Sequence, residues 1–314
     1  MTQTPTGNKA PLKMKCPACG STLGNFPASL EIPIHCEHCH YNITWDGDCW
    51  DACVDKSYRR DFARQWVLWE AGKLGDPKLV YGNDPKRYFR ELLDHTHLTE
   101  ENLKSMRILE IGFGHGRLLQ QVQKYCPTAY GLDLSKPLRS AQLRPGSAIF
   151  GNLFNIPFEP HQFDLVICRG VIHVTPDAHK AFDCLAEQVA ENGKLYCAGL
   201  YEPGRGRLML RKVFPHVWNY PEPVRLGISS VSGALRATLE AVRHRKISVD
   251  SFKYDYAKFK IDVFDTIAPE WTSTHMADEV KAWYASKGFG DVEKVDYGGY
   301  FGARIGDPRK TNAA

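Results

Sequence analysis

Short apolar runs alternate with stretches of helical period through most of the chain, and this pattern predicts an α/β architecture. Seven strands are expected, over residues 107–111, 129–132, 148–150, 163–168, 195–199, 292–295 and 300–305. Between them lie amphipathic helices. One spans 118–125, and a second starts at Ser135 and Pro137 and carries Leu138, Ala141 and Leu143. A third opens at Pro176 and Asp177 and buries Ala181, Phe182, Leu185, Ala186 and Val189. The last runs from Met276 to Lys287, with Thr272, Ser273 or Thr274 as its cap and Gly288 as its stop. Upstream, 87–93 and 99–103 read as short helices and 72–85 as a loop. Val54, Tyr58, Phe62, Trp66 and Trp69 put an aromatic stripe on a helix over 54–70. That stripe either packs on the core or closes over a ligand. Residues 201–260 exceed one crossover helix, and within them Val231, Leu235, Leu239 and Val242 make an apolar helical face.

The first strand and its helix are joined by Gly112, Gly114 and Gly116, and the second strand ends in Asp133. Glycines let a backbone approach a ligand closely, and a strand-terminal carboxylate can accept from both hydroxyls of a ribose. A dinucleotide turn has Gly-x-Gly-x-x-Gly, which seats pyrophosphate on the helix N-terminus. Here the spacing is one residue shorter, and Glu110 precedes the turn, where its charge would repel phosphate. An ammonium group and a ribose without phosphate suit Glu110 and Asp133 together, and S-adenosylmethionine offers both. The Glu-x-Gly-x-Gly-x-Gly stretch resembles the cofactor site of the class I S-adenosylmethionine-dependent methyltransferases.

The resemblance spans about residues 103–305, and the insert after strand five matches least. It implies a Rossmann-like seven-stranded mixed sheet with an antiparallel last strand. It also implies cofactor contacts at Glu110, Gly112, Gly114, Gly116, Asp133, Leu134, Asn152, Leu153 and Arg169. Asn152 stands where the family more often has Asp. Pro157-Phe158 and the run Arg169-Gly170-Val171-Ile172-His173-Val174 are similar to family segments. The tail from Asp265 to Phe289 resembles that of methyltransferases acting on natural products, sugars or lipids, where an aromatic and a His lie near the acceptor. His173 and His275 are therefore candidate bases and Tyr201 a candidate orienting group, while Tyr58, Phe62 and Trp271 are candidate substrate contacts. His173 can instead serve only to shape the site. Neither a metal-ligand set in the core nor an Asn/Asp-Pro-Pro-Tyr motif after strand four is present in the sequence.

Cysteine usage changes the picture at the N-terminus. Cys16 and Cys19, then Cys36 and Cys39, form two Cys-x-x-Cys knuckles, a spacing that predicts one structural zinc held by four thiolates. His35, His38 and His40 are secondary candidates. Cys49 and Cys53 have no second pair and read as helix-start or core thiols, and Cys168 and Cys197 as buried core thiols. This head resembles the zinc-ribbon modules that precede some bacterial methyltransferases.

Charge adds one asymmetry. The formal net charge is +4, but nine Lys or Arg residues oppose only Glu222 and Glu240 between Arg205 and Lys246, leaving the remainder at −3. That block marks an anionic ligand or a solvated face. The expected organisation is a disordered lead over 1–13, a zinc ribbon over 14–53, a helical connector over 54–102, the first part of the core over 103–200, a helical insert or lid over 201–262, and the rest of the core over 263–314. The expected activity is methylation of oxygen or nitrogen on a small, anionic metabolite in natural product biosynthesis. The alternative is an RNA methyltransferase whose head and basic block bind nucleic acid. A cytoplasmic monomer or homodimer is expected, since no apolar run of membrane-spanning length and no signal core occur.

Overall fold

The computed structural model describes residues 9–27, 29–55, 65, 67–69, 71–75, 84, 86–136, 142–202, 211–244, 248–296 and 298–305. The chain forms two compact units, one from Met1–Arg59, Lys86–Glu202 and Ser273–Ala314, the other from Arg60–Pro85 and Pro203–Thr272. Most of the helix expected over 54–70, with Tyr58 and Phe62, lies outside the described residues.

The first unit is built on a ten-stranded sheet, and its first two strands form a separate two-stranded sheet. Its strands are β1 (Lys13–Lys15), β2 (Thr22–Asn25), β3 (Ile34–His35), β4 (Asn42–Trp45), β5 (Trp50–Asp51), β6 (Ile108–Ile111), β7 (Ala129–Asp133), β8 (Ala148–Phe150), β9 (Phe163–Arg169), β10 (Val189–Ala198), β11 (Phe289–Val295) and β12 (Gly299–Arg304). Its helices are α1 (Arg87–Thr96), α2 (Glu100–Lys104), α3 (Arg117–Gln123) and α4 (Ala178–Gln188). The sheet order is β11-β12-β10-β9-β6-β7-β8-β5-β4-β3. Strands β8, β7, β6, β9 and β10 run parallel, while β12 is antiparallel to both β10 and β11. The expected seven-stranded mixed sheet is thus present. The four residues of β6 are all buried, as a parallel strand covered on both faces requires.

Three strands of the head extend this sheet. β5 pairs parallel with β8, setting Trp50 against Ile149 and Asp51 against Phe150. Met14, Ile43, Trp50 and Ala52 share one buried cluster with Leu132, Ile149, Phe158 and Phe163. Phe26 packs edge-on against both Trp50 and Tyr130. The head therefore draws its apolar core from the sheet, because a ribbon this small cannot bury one alone. Cys49 is buried in the turn before β5, where its amide donates to Asp46 Oδ1 at 2.9 Å, and begins no helix.

The second unit is a helical hairpin of α5 (Glu222–His244) and α6 (Val249–Ile267). The face α5 buries is small and polar, with Arg225, Ser229, Gly233 and Ala237 at helical spacing. A Cβ on Gly233 would lie 2.9 Å from the Lys260 amide nitrogen, so the glycine permits the close approach of the two backbones. The expected apolar face points to solvent instead, with Val231, Leu235, Leu239 and Val242 all exposed. On α6, Phe264 and Ile261 pack with Leu68, Trp69 and Leu74. Arg211 donates to the carbonyls of Thr266, Pro269 and Glu270, placing a cation at the carbonyl end of α6.

The final helix, α7 (Ala277–Ser286), belongs to the first unit. Its N-cap is Met276, with no side-chain cap bond, rather than a residue of 272–274. Ser273 is engaged with His275 instead.

Candidate active site

The carboxyl ends of β6, β7, β8 and β9 carry Glu110, Asp133, Asn152 and Arg169 in or just beyond the strands. The order of strand addition reverses at β6, since β7 and β8 lie on one side and β9 and β10 on the other. Such a switch point opens a crevice at the carboxyl ends of parallel strands.

The glycine turn is built to that crevice. Gly112 has φ +75° and donates to Leu132 O at 2.7 Å, and a Cβ on it would lie 2.1 Å from Val171 Cγ2. Only glycine fits there. The Gly114 amide donates to Asp133 Oδ2 at 2.7 Å. The other carboxylate oxygen of Asp133 accepts from the amide and hydroxyl of Ser135, at 2.7 and 2.6 Å. Asp133 therefore ties the turn to the end of β7 and retains lone pairs for a ligand.

Glu110 is buried, and its Oε2 has no hydrogen-bond partner among the described residues. Burial pushes its carboxyl up to about 8, against the opposing pull of the Arg169 charge and with a further push from Asp133. A buried carboxylate oxygen without a partner is costly, and a cationic ligand group would relieve it. This fits an ammonium group.

Arg169 is itself oriented by α1. Its Nη2 donates to Glu91 Oε2 at 3.0 Å, and its guanidinium lies 4.5 Å from the centre of the Tyr88 ring. Burial raises the Tyr88 hydroxyl to about 12 and lowers His115 to about 3, the latter aided by Arg117 and Arg169. Sequence reasoning missed Tyr88, Glu91 and His115. Tyr88 and Glu91, three apart on a helix with a strong apolar face, were the available signal. Asn152 Oδ1 accepts from the Phe154 amide at 3.0 Å and caps a short 3-10 turn, which fixes its side chain and leaves one lone pair of Oδ1. Leu153 is buried in that turn, and Leu134 borders the core beside Asp133.

A second group gathers beyond β9 and β10. The edge of the His173 ring meets Tyr201 at 5.5 Å between centres. Ser273 donates its amide to His173 O at 2.7 Å, and the His275 amide donates to Tyr201 O at 2.9 Å. His275 pairs through Nδ1 with Glu279 Oε1 at 3.0 Å and through Nε2 with Ser273 Oγ at 2.8 Å. The structure thus brings His173, Tyr201 and His275 together and adds Ser273 and Glu279, which sequence reasoning did not single out. An i,i+4 His–Glu pair at the start of α7 was the available clue. Trp271 falls in the other unit.

In the head, the four sulfurs of Cys16, Cys19, Cys36 and Cys39 all lie within 4.8 Å of one another. Cys16 and Cys39 are 3.5 Å apart and Cys19 and Cys36 3.6 Å, too long for a disulfide and near the edge of a tetrahedral thiolate site. Both knuckles close alike, with Gly20 N donating to Cys16 O and His40 N to Cys36 O, each at 2.8 Å. His35 bonds Asn42 at 2.9 Å and is not part of the sulfur cluster.

Residues 109–197 match the family described as methyltransferase domain. The matched segment runs from β6 through most of β10 and contains Glu110, the glycine turn, Asp133, Arg169 and His173. The chain is 28% identical over 123 residues to a ubiquinone biosynthesis O-methyltransferase of Salmonella paratyphi A, covering 36% of this chain and 51% of that protein. The chain thus spans about half the length of this curated relative. Among solved structures, similarity extends to the magnesium protoporphyrin IX methyltransferase of Synechocystis PCC 6803 with bound S-adenosylhomocysteine. There the TM-score is 0.44 at 14% identity, over 78% of this chain and 97% of that one. A sugar N-methyltransferase from Streptoalloteichus has a TM-score of 0.34 at 21% identity, over 45% of this chain and 55% of that one. Among the described residues, no helix is long and apolar enough to cross a membrane.

Proposed function

We propose that the protein transfers the methyl group of S-adenosylmethionine to an oxygen or nitrogen nucleophile of a small, anionic metabolite. The observation that carries this reading is the pair of buried carboxylates flanking the glycine turn. Glu110 presents an unpartnered oxygen suited to an ammonium group, and Asp133 stands where a ribose needs an acceptor. Leu134, Leu153, Asn152 and Arg169 complete the cofactor-side wall in this reading, with Asn152 Oδ1 as an acceptor for the adenine amino group.

S-adenosylmethionine bound there supplies an activated methyl group. The chain must then orient the acceptor and take its proton. His275 is the better-supported base, because Glu279 holds one ring nitrogen and leaves the other on the Ser273 hydroxyl. His173 shapes the wall, and Tyr201 orients the acceptor. The excess of Lys and Arg over residues 205–246 of the sequence supports an acceptor bearing carboxylate or phosphate. The four head thiolates are proposed to hold one structural zinc, with every position filled by protein and none left for catalysis.

Methyl transfer from labelled cofactor into a cell extract, split into small-molecule and RNA fractions, tests the reading. Label in the small-molecule fraction is expected. Label confined to RNA and released by RNase would overturn it in favour of a nucleic-acid substrate.

A further inference from the structure

Arg169 stands near two carboxylates but is hydrogen-bonded to only one of them, Glu91. Glu110 and Arg169 lie on neighbouring parallel strands, β6 and β9, in a register that sets Glu110 beside Ile167. Side chains alternate along a strand, so Glu110, Ile167 and Arg169 project from the same face of the sheet. Ile108, Ile167 and Tyr196 on that face share one buried cluster with Phe89 and Leu92 of α1, which covers it. At the spacing and rise of a sheet, the Cα atoms of Glu110 and Arg169 are about 8 Å apart. Two long side chains span such a gap. Yet Glu110 Oε2 is buried and has no hydrogen-bond partner among the described residues.

What diverts Arg169 is α1. Glu91 Oε2 accepts from Arg169 Nη2 at 3.0 Å, and the Tyr88 carbonyl accepts from Nη1 at 3.4 Å. The Tyr88 ring lies 4.5 Å from the guanidinium. Glu91 is itself fixed, because its Oε1 accepts from Arg87 Nε at 2.9 Å. The Glu91 and Arg169 side chains are 17 and 19% exposed, so this pair is largely shielded and unlike the weak pairs of an open surface. Without Glu91, Arg169 would be a shielded cation with an unpartnered carboxylate oxygen in reach. The two would pair, since each offsets the desolvation of the other. That pairing would fill the position at Glu110 that a cofactor ammonium group needs.

We propose that Glu91 is a positioning residue of the cofactor site, which holds Arg169 off Glu110 and so keeps the ammonium position open. This rests on the reading of Glu110 as the ammonium acceptor. It gives Glu91 more than a supporting role, and the difference is measurable. A residue that only braces Arg169 can cost no more, when lost, than the contribution of Arg169 itself. A residue that restrains Arg169 costs more than that, because the released guanidinium competes with the ligand. Removing the guanidinium as well then restores binding.

Calorimetric titration of S-adenosylhomocysteine into the full chain tests this. Glu91→Ala should weaken binding about tenfold to a hundredfold, the range expected when a charge-assisted pair must be broken first. Glu91→Gln keeps the shape of the side chain without its charge and should weaken binding in the same direction. Arg169→Met should cost less than Glu91→Ala. The double variant, Glu91→Ala with Arg169→Met, should recover the affinity of Arg169→Met alone. That recovery would also show that α1 folds without Glu91, so misfolding does not explain the single variant. Three outcomes would overturn the role of Glu91 while leaving the cofactor reading in place. They are wild-type affinity in both Glu91 variants, a loss in Arg169→Met as large as in Glu91→Ala, and a double variant no better than Glu91→Ala. A wild type that does not bind S-adenosylhomocysteine would overturn the cofactor reading and the role of Glu91 with it.

Discussion

The amide of Gly114 donates to Asp133 Oδ2 at 2.7 Å, so the acid that ends β7 also holds the glycine turn that follows β6. Folding and ligand recognition converge on one carboxylate. Asp133 is buried, and burial raises its carboxyl, while bonds from Ser135 and Gly114 pull it back down. Replacing it by Ala removes acceptors from the Gly114 and Ser135 amides as well as from a ribose. Each charge-assisted bond is worth about 1.5–3 kcal/mol. Calorimetry should show S-adenosylhomocysteine binding at least tenfold weaker in Asp133→Ala, and unchanged affinity would reject Asp133 as a ligand group.

Glu110 leads to a pH prediction. Its folded carboxyl lies near 8, above its unfolded value, so between these limits the folded state holds a proton that the unfolded state has released. The associated stability is present at acid pH and lost as pH rises through about 8, by a few kcal/mol at most. A cationic ligand group needs the ionised carboxylate, so affinity should move the opposite way and rise with pH toward 8. In Glu110→Gln both slopes should flatten. A binding profile with the same slope in wild type and variant would remove Glu110 from the cofactor site.

Much of this site was legible because its chemistry is local. Glu110, the glycines and Asp133 lie within one βαβ segment, where a turn needing positive φ and a strand-terminal acid leave a fixed spacing. The four cysteines were legible for the same reason. The support of Arg169 by Tyr88 and Glu91 was not, because α1 reads as an ordinary amphipathic connector and only the fold brings it to the end of β9. The orientation of α5 was misleading for a different reason. Periodicity identifies an apolar face but not what covers it, and close approach at Gly233 outweighed aliphatic burial in deciding which side meets α6.

Zinc removal should be felt beyond the head. Because β5 pairs with β8 and Trp50 lies in the same core as Ile149 and Phe158, loosening the knuckles exposes the edge of the main sheet. Cys36→Ser should lose the single zinc expected by elemental analysis and lower the thermal midpoint of the whole first unit by several degrees. Full zinc occupancy in that variant would reject Cys36 as a ligand. An unchanged midpoint after zinc loss would show that the sheet, not the ion, holds the head.

The two histidines can be separated by kinetics. Glu279 Oε1 at 3.0 Å from His275 Nδ1 directs Nε2 toward Ser273 Oγ, a geometry that suits proton acceptance. His173 instead packs on Tyr201 and is tied to Ser273 through its backbone oxygen, which a substitution of its side chain leaves in place. His275→Ala should therefore lower kcat by about 10²–10⁴ with little change in cofactor affinity. Glu279→Gln keeps a hydrogen-bond acceptor for Nδ1 but removes the charge, so it should reduce kcat less than His275→Ala. His173→Asn should act mainly on KM, by reshaping the wall against Tyr201. Stopped assays over pH 5–9 with labelled cofactor measure all three. If His173→Asn abolishes turnover while His275→Ala retains kcat, the base is His173, and the Glu279–His275–Ser273 arrangement only braces the start of α7.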